Sequence, residues 1–380
     1  MTADETSAWL RLALSPAISA AHARALLAEF GLPTALFDGS CEEPRARARL
    51  AAVGGENAAD LLLGPADPAT ALLIDRTHAW LGGGPGRWLL CMADADYPTG
   101  LLDLADAPIL LYAQGRRELL GRAGLAIVGS RNATRQGEQN AAAFAAHLGR
   151  AGLCILSGMA SGVDAAAHQG ALDAGAATVA LLGTGIDQVY PPRHRALAAR
   201  IGSDGLLLSE YPLGAGPLAY HFPRRNRLIA ALSRGVLVVE AALHSGSLIT
   251  ARLAAEMGRE VFAIPGSIHS PLSRGGHRLI RDGAKLVESA QDVLEELRWD
   301  ASAGGGGLAP AGPAQTPPDP GGPAGPDSPL FDALGYDPVD IDSLALRLGR
   351  DAGSLAAQLL ELELARRVER LPGNRYQRLR

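Results

Sequence analysis

The stretch Tyr220–Gly258, YHFPRRNRLIAALSRGVLVVEAALHSGSLITARLAAEMG, decides the fold. Its centre, Val236 to Val239, is an unbroken apolar run that ends on Glu240. Such a run reads as a parallel strand covered on both faces. Just upstream, Arg224, Arg225 and Arg227 surround Asn226 in a short amphipathic segment. Phe222 and Pro223 anchor that segment, and Leu228, Ile229 and Leu232 give it a face to bury. Downstream, the turn Ser245-Gly246-Ser247 opens a helix that runs to Gly258. A strand, a small turn and a helix start leave backbone N–H groups and the positive end of the helix dipole facing one point. The arginines supply charge for an anion held there. The stretch therefore reads as the floor of a phosphate-binding surface. Within it, Val236–Glu240 is expected in the sheet core, and Ser245–Thr250 reads alternatively as helix capping alone.

Working outward, the chain alternates strands and helices from Gly124 onward. Strands are expected at Leu125–Val128, Leu153–Leu156, Thr178–Leu182, Leu206–Leu208, Val236–Val239, Val261–Ile264 and Lys285–Val287. Helices such as Glu138–Arg150 and Leu248–Met257 lie between them. Right-handed crossovers of this length imply an α/β fold: a Rossmann-like, mostly parallel sheet with helices on both faces. We assign residues 86–299 to this domain, with 86–114 as a bridge in which Ile109–Tyr112 is expected as an edge strand.

Residues 1–85 read as a small helical domain of helix-hairpin-helix or SAM-like type. Its two first helices flank Ser15-Pro16-Ala17-Ile18-Ser19, where Ala17 and Ser19 replace the glycines usual in a phosphate-touching turn. A packing role is therefore expected. Residues 300–329 are a Gly/Pro/Ala segment without the apolar residues to offset chain entropy, and are expected to be disordered. Residues 330–380 show a short helix (Ile341–Leu348), a longer one (Leu355–Val368) and a hairpin around Pro372-Gly373-Asn374, the order of a winged helix.

Composition narrows the function. The net charge is −5, so a basic footprint must be local. Lys285 is the only lysine, and arginine carries nearly all the positive charge. Aromatic residues make up 4%, which disfavours an extended base-stacking surface. Cys41, Cys91 and Cys154 have no metal-ligand or disulfide pattern, in keeping with a cytoplasmic protein. No apolar run approaches membrane-spanning length, and an acidic N-terminus is unlike a signal peptide.

The strand exits carry the candidate site. Gly129-Ser130-Arg131 follows the first strand of the α/β domain. Ser157-Gly158-Met159-Ala160-Ser161-Gly162 follows the second, with Asp164 and His168 one turn apart on the next helix. Those two side chains either brace a phosphate cradle or form a cap whose charge His168 accepts; the second is favoured. Gly183-Thr184-Gly185 follows the third strand. Together these edges form a long anion-accepting groove. No G-x-G-x-x-G fingerprint, catalytic triad or metal set stands out, so neither a cofactor, a metal nor catalysis is expected.

The order and spacing of these motifs resemble the DNA-processing protein A (Smf) family. The resemblance rests on Ile127–Arg131, Ser157–Asp164 with His168, Leu182–Gly185, Tyr190-Pro191, Phe222–Arg227, Val238–Ala241, Ser245–Thr250, Gly258–Val261, Pro265-Gly266 and Gly283-Ala284. It implies a homodimer that binds single-stranded DNA without strong sequence preference. It further implies loading of the RecA recombinase, work alongside single-stranded-DNA-binding protein, a role in natural transformation, and no enzymatic activity. The family positions carried over are Arg131, the Gly158–Gly162 loop and the Arg224–Arg227 cluster; with the strand exits read above, the expected DNA- or phosphate-binding set is Gly129, Ser130, Arg131, Ser157, Gly158, Met159, Ala160, Gly162, Gly183, Arg224, Arg225, Asn226, Arg227, Ser245, Gly246, Ser247 and Lys285. Asp164, His168 and Glu240 are assigned bracing roles. The competing reading is a sensor or enzyme for a small nucleotide held at the same glycine-rich edge.

Overall fold

The computed structural model describes residues 1–38, 41, 43–55, 57–300, 329–334 and 338–379. The expected disordered segment lies, apart from its end residues, outside the described residues. The chain divides into two compact units, Met1–Gly304 and Gly305–Arg380.

The first unit is built on nine strands. They are β1 (Arg87–Cys91), β2 (Leu110–Gly115), β3 (Gly124–Val128), β4 (Cys154–Ser157), β5 (Thr178–Leu182), β6 (Leu206–Ser209), β7 (Ser233–Val238), β8 (Glu260–Ala263) and β9 (Lys285–Leu286). Their spatial order is β1-β2-β6-β5-β4-β3-β7-β8-β9. From β6 to β9 every pairing is parallel, whereas β1 pairs β2, and β2 pairs β6, antiparallel. The apolar runs are continuous because alternate residues feed two cores. Ala126, Val128, Val236 and Val238 enter one; Leu125, Ile127, Leu237 and Val239 enter the other.

Two expectations change here. Residues 86–114 are not a bridge ending in an edge strand: β1 takes the edge and covers β2, which becomes interior. Nor do residues 1–85 form a unit of their own. Helices α1 (Ala3–Leu14) and α2 (Ala20–Phe30) place Trp9, Leu10 and Leu26 in one core with Leu89, Tyr112, Ala180 and Leu182 of the sheet. Ser19, at a position where a phosphate-touching turn would carry glycine, instead accepts a hydrogen bond from His22 N at 3.2 Å and starts α2.

The helices that frame the sheet's C-terminal edge are α3 (Arg135–Arg150), α4 (Val163–Asp173), α5 (Arg195–Asp204), α6 (His221–Leu232), α7 (Ser247–Glu256) and α8 (Arg274–Arg281). Strands β3 to β6 are laid down in one direction and β7 to β9 in the other. The order reverses between β3 and β7, and their C-terminal ends bound a crevice at that reversal.

The second unit holds α9 (Ile341–Leu348), α10 (Ala352–Leu364) and a sheet of β10 (Val339–Asp340), β12 (Arg375–Arg378) and β11 (Val368–Leu371). Leu344, Leu355, Leu359, Val368 and Tyr376 fill its core. The helix pair and hairpin are a winged helix, with Gly373 and Asn374 at positive φ in the turn. Strand β10 was not anticipated. Among the described residues no helix is long and apolar enough to cross a membrane, and no group of side chains could hold a metal ion.

Candidate nucleic-acid interface

At the reversal point the exits of β3 and β7 are tied together. Ser130 N donates to Glu240 O at 2.7 Å, and Val163 N donates to Ser130 O at 3.2 Å. Gly129 has no room for a side chain: a Cβ would sit 2.6 Å from Val163 Cγ2 and 2.9 Å from Glu240 O. The Glu240 carboxylate accepts from Thr134 N at 2.9 Å and from Thr134 Oγ1 at 2.6 Å. Thr134 in turn caps α3 through Gly137 N. Burial pushes the Glu240 pKa up, and Thr134 opposes that shift. Glu240 thus fastens the β3 exit loop to β7.

The loop after β4 is stabilised from inside. The Asp164 carboxylate accepts from Gly158 N at 3.1 Å and Ala160 N at 3.3 Å. Arg225, only 3% exposed, donates to Gly158 O at 2.5 Å and to Leu181 O. Its guanidinium occupies the space a Gly158 side chain would need, 2.4 Å from the position of a Cβ. Gly162, at φ +73°, brings the loop against Ser130, whose carbonyl would be 2.3 Å from an added Cβ. Met159 holds φ 62° with its side chain buried. Burial raises the Asp164 pKa, with Arg225 opposing; burial lowers that of Arg225 to about 10, with Asp164 opposing. Arg225 remains protonated at neutral pH.

These contacts revise the sequence reading. The amides of Gly158 and Ala160 are held by Asp164, so they do not form an open phosphate cradle. Asp164 does not hand its charge to His168. The His168 ring is fully buried, with Nδ1 2.7 Å from Thr178 Oγ1, and burial lowers its pKa to about 3. Gly183 is small because Phe222 lies against it, 2.9 Å from a would-be Cβ. Ser157 Oγ donates to Ile127 O at 2.7 Å inside the sheet.

The arginine cluster is divided by its helix. Arg224 and Arg227, one turn apart on α6, both reach Glu210, at 3.2 and 2.5 Å. Arg227 also pairs with Asp106 at 3.0 Å and is buried. Arg225 points into the protein between them. The three are therefore not a row of cations facing one strand. Lys285 lies on the edge strand β9 and pairs with Glu296 at 3.0 Å, away from the crevice.

What faces solvent is a cleft of about 770 Å³. Of the expected residues it brings together Gly129, Ser130, Arg131, Ala160, Asp164, Arg225, Asn226, Ser245, Gly246 and Ser247. Arg131 is exposed, and among the described residues no carboxylate pairs with it. Its guanidinium lies 5.2 Å from the centroid of the Phe222 ring. Phe222 in turn lies 5.7 Å from Tyr190, which is 44% exposed. Asn226 Nδ2 donates to Gly246 O at 3.3 Å, and Ser245 Oγ lies 2.7 Å from Ser247 Oγ, shaping the opposite lip. Sequence reasoning missed the aromatic part of this rim. Tyr190-Pro191 enters the sequence reading only as a family motif and Phe222-Pro223 as an anchor; only the fold brings the two rings and Arg131 together. The result is a cationic and aromatic edge over a concave cleft, suited to a phosphate and an adjoining planar base.

Residues 88–298 match the family model for DNA recombination-mediator protein A, and residues 313–374 match that for the DprA winged helix domain. The chain is 42% identical to protein Smf of Escherichia coli over 310 residues, 81% of each chain. It is 50% identical to DNA processing protein DprA of Streptococcus pneumoniae over 206 residues, 54% of this chain and 73% of that one. The X-ray structure of the S. pneumoniae protein superposes with a TM-score of 0.54 at 45% identity, covering 62% of this chain and 84% of that one. A structure of Helicobacter pylori DNA processing protein A, described for its single-stranded DNA binding mode, gives a TM-score of 0.50 at 32% identity, with 55% and 95% covered.

Proposed function

The chain belongs to the DNA recombination-mediator protein A family, and on that premise we propose that it binds single-stranded DNA in the cleft between β3 and β7. In this reading it shields the strand, loads a RecA recombinase onto it, and acts as a homodimer beside single-stranded-DNA-binding protein. Its role is binding and delivery, without catalysis. The observation that carries the reading is the rim of Arg131, Phe222 and Tyr190 over an open cleft at the sheet's reversal point. Arg131 meets a phosphate, and the rings take a base by its face, which every base possesses. Recognition then tolerates any sequence and weakens with salt.

The relative from H. pylori supports this ligand, since its structure was described for single-stranded DNA binding. The test is a fluorescence anisotropy titration with homothymidine and homoadenine strands, with a mononucleotide as competitor. Comparable affinities for both strands, and no displacement by the mononucleotide, are expected. Phe222→Ala should cost about 1–3 kcal/mol, roughly 5- to 150-fold in affinity. Saturable mononucleotide binding without DNA binding would instead establish a small-nucleotide site.

A further inference from the structure

The cleft does not end at His244 and Ser245. Both residues also line a second groove of about 690 Å³ that runs beside α7. One wall is the outward face of α7, where Ile249 and Arg252 stand one turn apart; the other is α8 with Arg278. Resting on the proposed function above, we infer that this groove is a second segment of the DNA path, carrying the strand onward from the cleft.

Three observations argue for that occupant. The groove adjoins the cleft, with His244 and Ser245 lining both, so a strand leaving the cleft over His244 reaches it directly. Its charge complements a phosphate chain. Arg252 is exposed, and among the described residues no carboxylate pairs with it. Among the described residues Arg278 reaches only Asp282, at 3.5 Å, with both side chains more than half exposed, so a phosphate can compete for it. The groove also offers aliphatic surface where the strand would enter: Leu243 and Ile249 are 38% and 39% exposed.

The far end of the groove sets a limit. Arg259 is held by Asp103 at 3.1 Å, and Glu260 places a carboxylate beside it. Helix α7 spans 10 residues. At ~1.5 Å per residue and ~3.4 Å per nucleotide, it accommodates at most about four nucleotides. The groove is therefore an extension with a defined end.

The test compares short (about 6-nucleotide) and longer (about 12-nucleotide) homothymidine strands, a length range over which a modular single-strand site fills. Wild-type protein, Arg252→Ala and Arg131→Ala are titrated across a salt series. For Arg252→Ala, unchanged affinity for the short strand is expected. For the longer strand, a several-fold loss and a salt slope shallower by ~0.7, one phosphate contact, are expected. Equal behaviour of wild type and Arg252→Ala on both lengths would overturn the extension, as would an equal loss on both. Failure of the underlying reading looks different: Arg131→Ala would then leave both strands unaffected, or wild type would bind neither.

Discussion

Arg131 and Arg225 reach the same cleft and meet opposite fates. Arg131 stands on the β3 exit loop, in solvent, against the aromatic face of Phe222. Arg225 comes from α6 and is buried against Gly158, its charge satisfied by two backbone carbonyls and favoured by Asp164. The rim offers its charge to a ligand; the floor uses its charge to hold the protein together. The same contrast separates the aromatic rim from the loop after β4, whose amides are already paired with Asp164. A glycine-rich loop beside an arginine is thus not evidence of a phosphate cradle. Here the glycines make room for a guanidinium, a carbonyl and an aromatic ring of the protein itself.

The largest effect that would break this contrast is on stability. Arg225→Ala leaves Asp164 buried without its counter-charge and takes the guanidinium donor from the Gly158 and Leu181 carbonyls. We expect a loss of about 3–5 kcal/mol, read as a lowered denaturation midpoint in urea. Arg225→Lys should recover only part, because an ammonium lacks the planar fork. If Arg225→Ala unfolds like wild type, the floor is not held by this residue.

A smaller effect sharpens the same point through pH. His168 is buried with its pKa lowered to about 3, below the ~6.5 of an unfolded chain. A depressed pKa means the unfolded state binds the proton more tightly. The stability that goes with neutral His168 is therefore complete above ~6.5 and declines as pH falls toward 3. The slope is at most ~1.4 kcal/mol per pH unit. Asp164 and Glu240, whose pKa values burial raises, act with the opposite sign, so the wild-type profile is a sum. Comparing wild type with His168→Gln isolates the histidine. The variant should lose less stability than wild type between about pH 6.5 and 5; parallel profiles would show that His168 is not buried neutral.

The contrast also marks what could be read from the chain. Thr178–Leu182 and Ile341–Leu348 were legible to the residue, since unbroken apolar runs and helical spacing are local signals. The place of β2 inside the sheet was not, because its cover, Trp88 to Cys91, is a partner chosen by topology. The arginine cluster was legible as a cluster, yet its directions follow from helix geometry. Residues 224 and 227 share a face, and 225 is turned about 100° away from 224. That reasoning was open once α6 was recognised; the positions of Glu210, Asp106 and Leu181 around it were not. Likewise Tyr190 and Phe222 are 32 positions apart, and nothing local says that their rings lie 5.7 Å from each other.

Arg131 is a cation that the protein does not need for itself, since among the described residues no carboxylate pairs with it. The most direct measurement is the affinity of wild type and Arg131→Ala for a homothymidine strand across a salt series, with thermal midpoints recorded on the same samples. Loss of a charge-assisted contact predicts a fall of about 10-fold or more at low salt, a log–log slope shallower by ~0.7, and an unchanged midpoint. An Arg131→Ala protein that binds as tightly as wild type, with the same salt slope, would contradict the account.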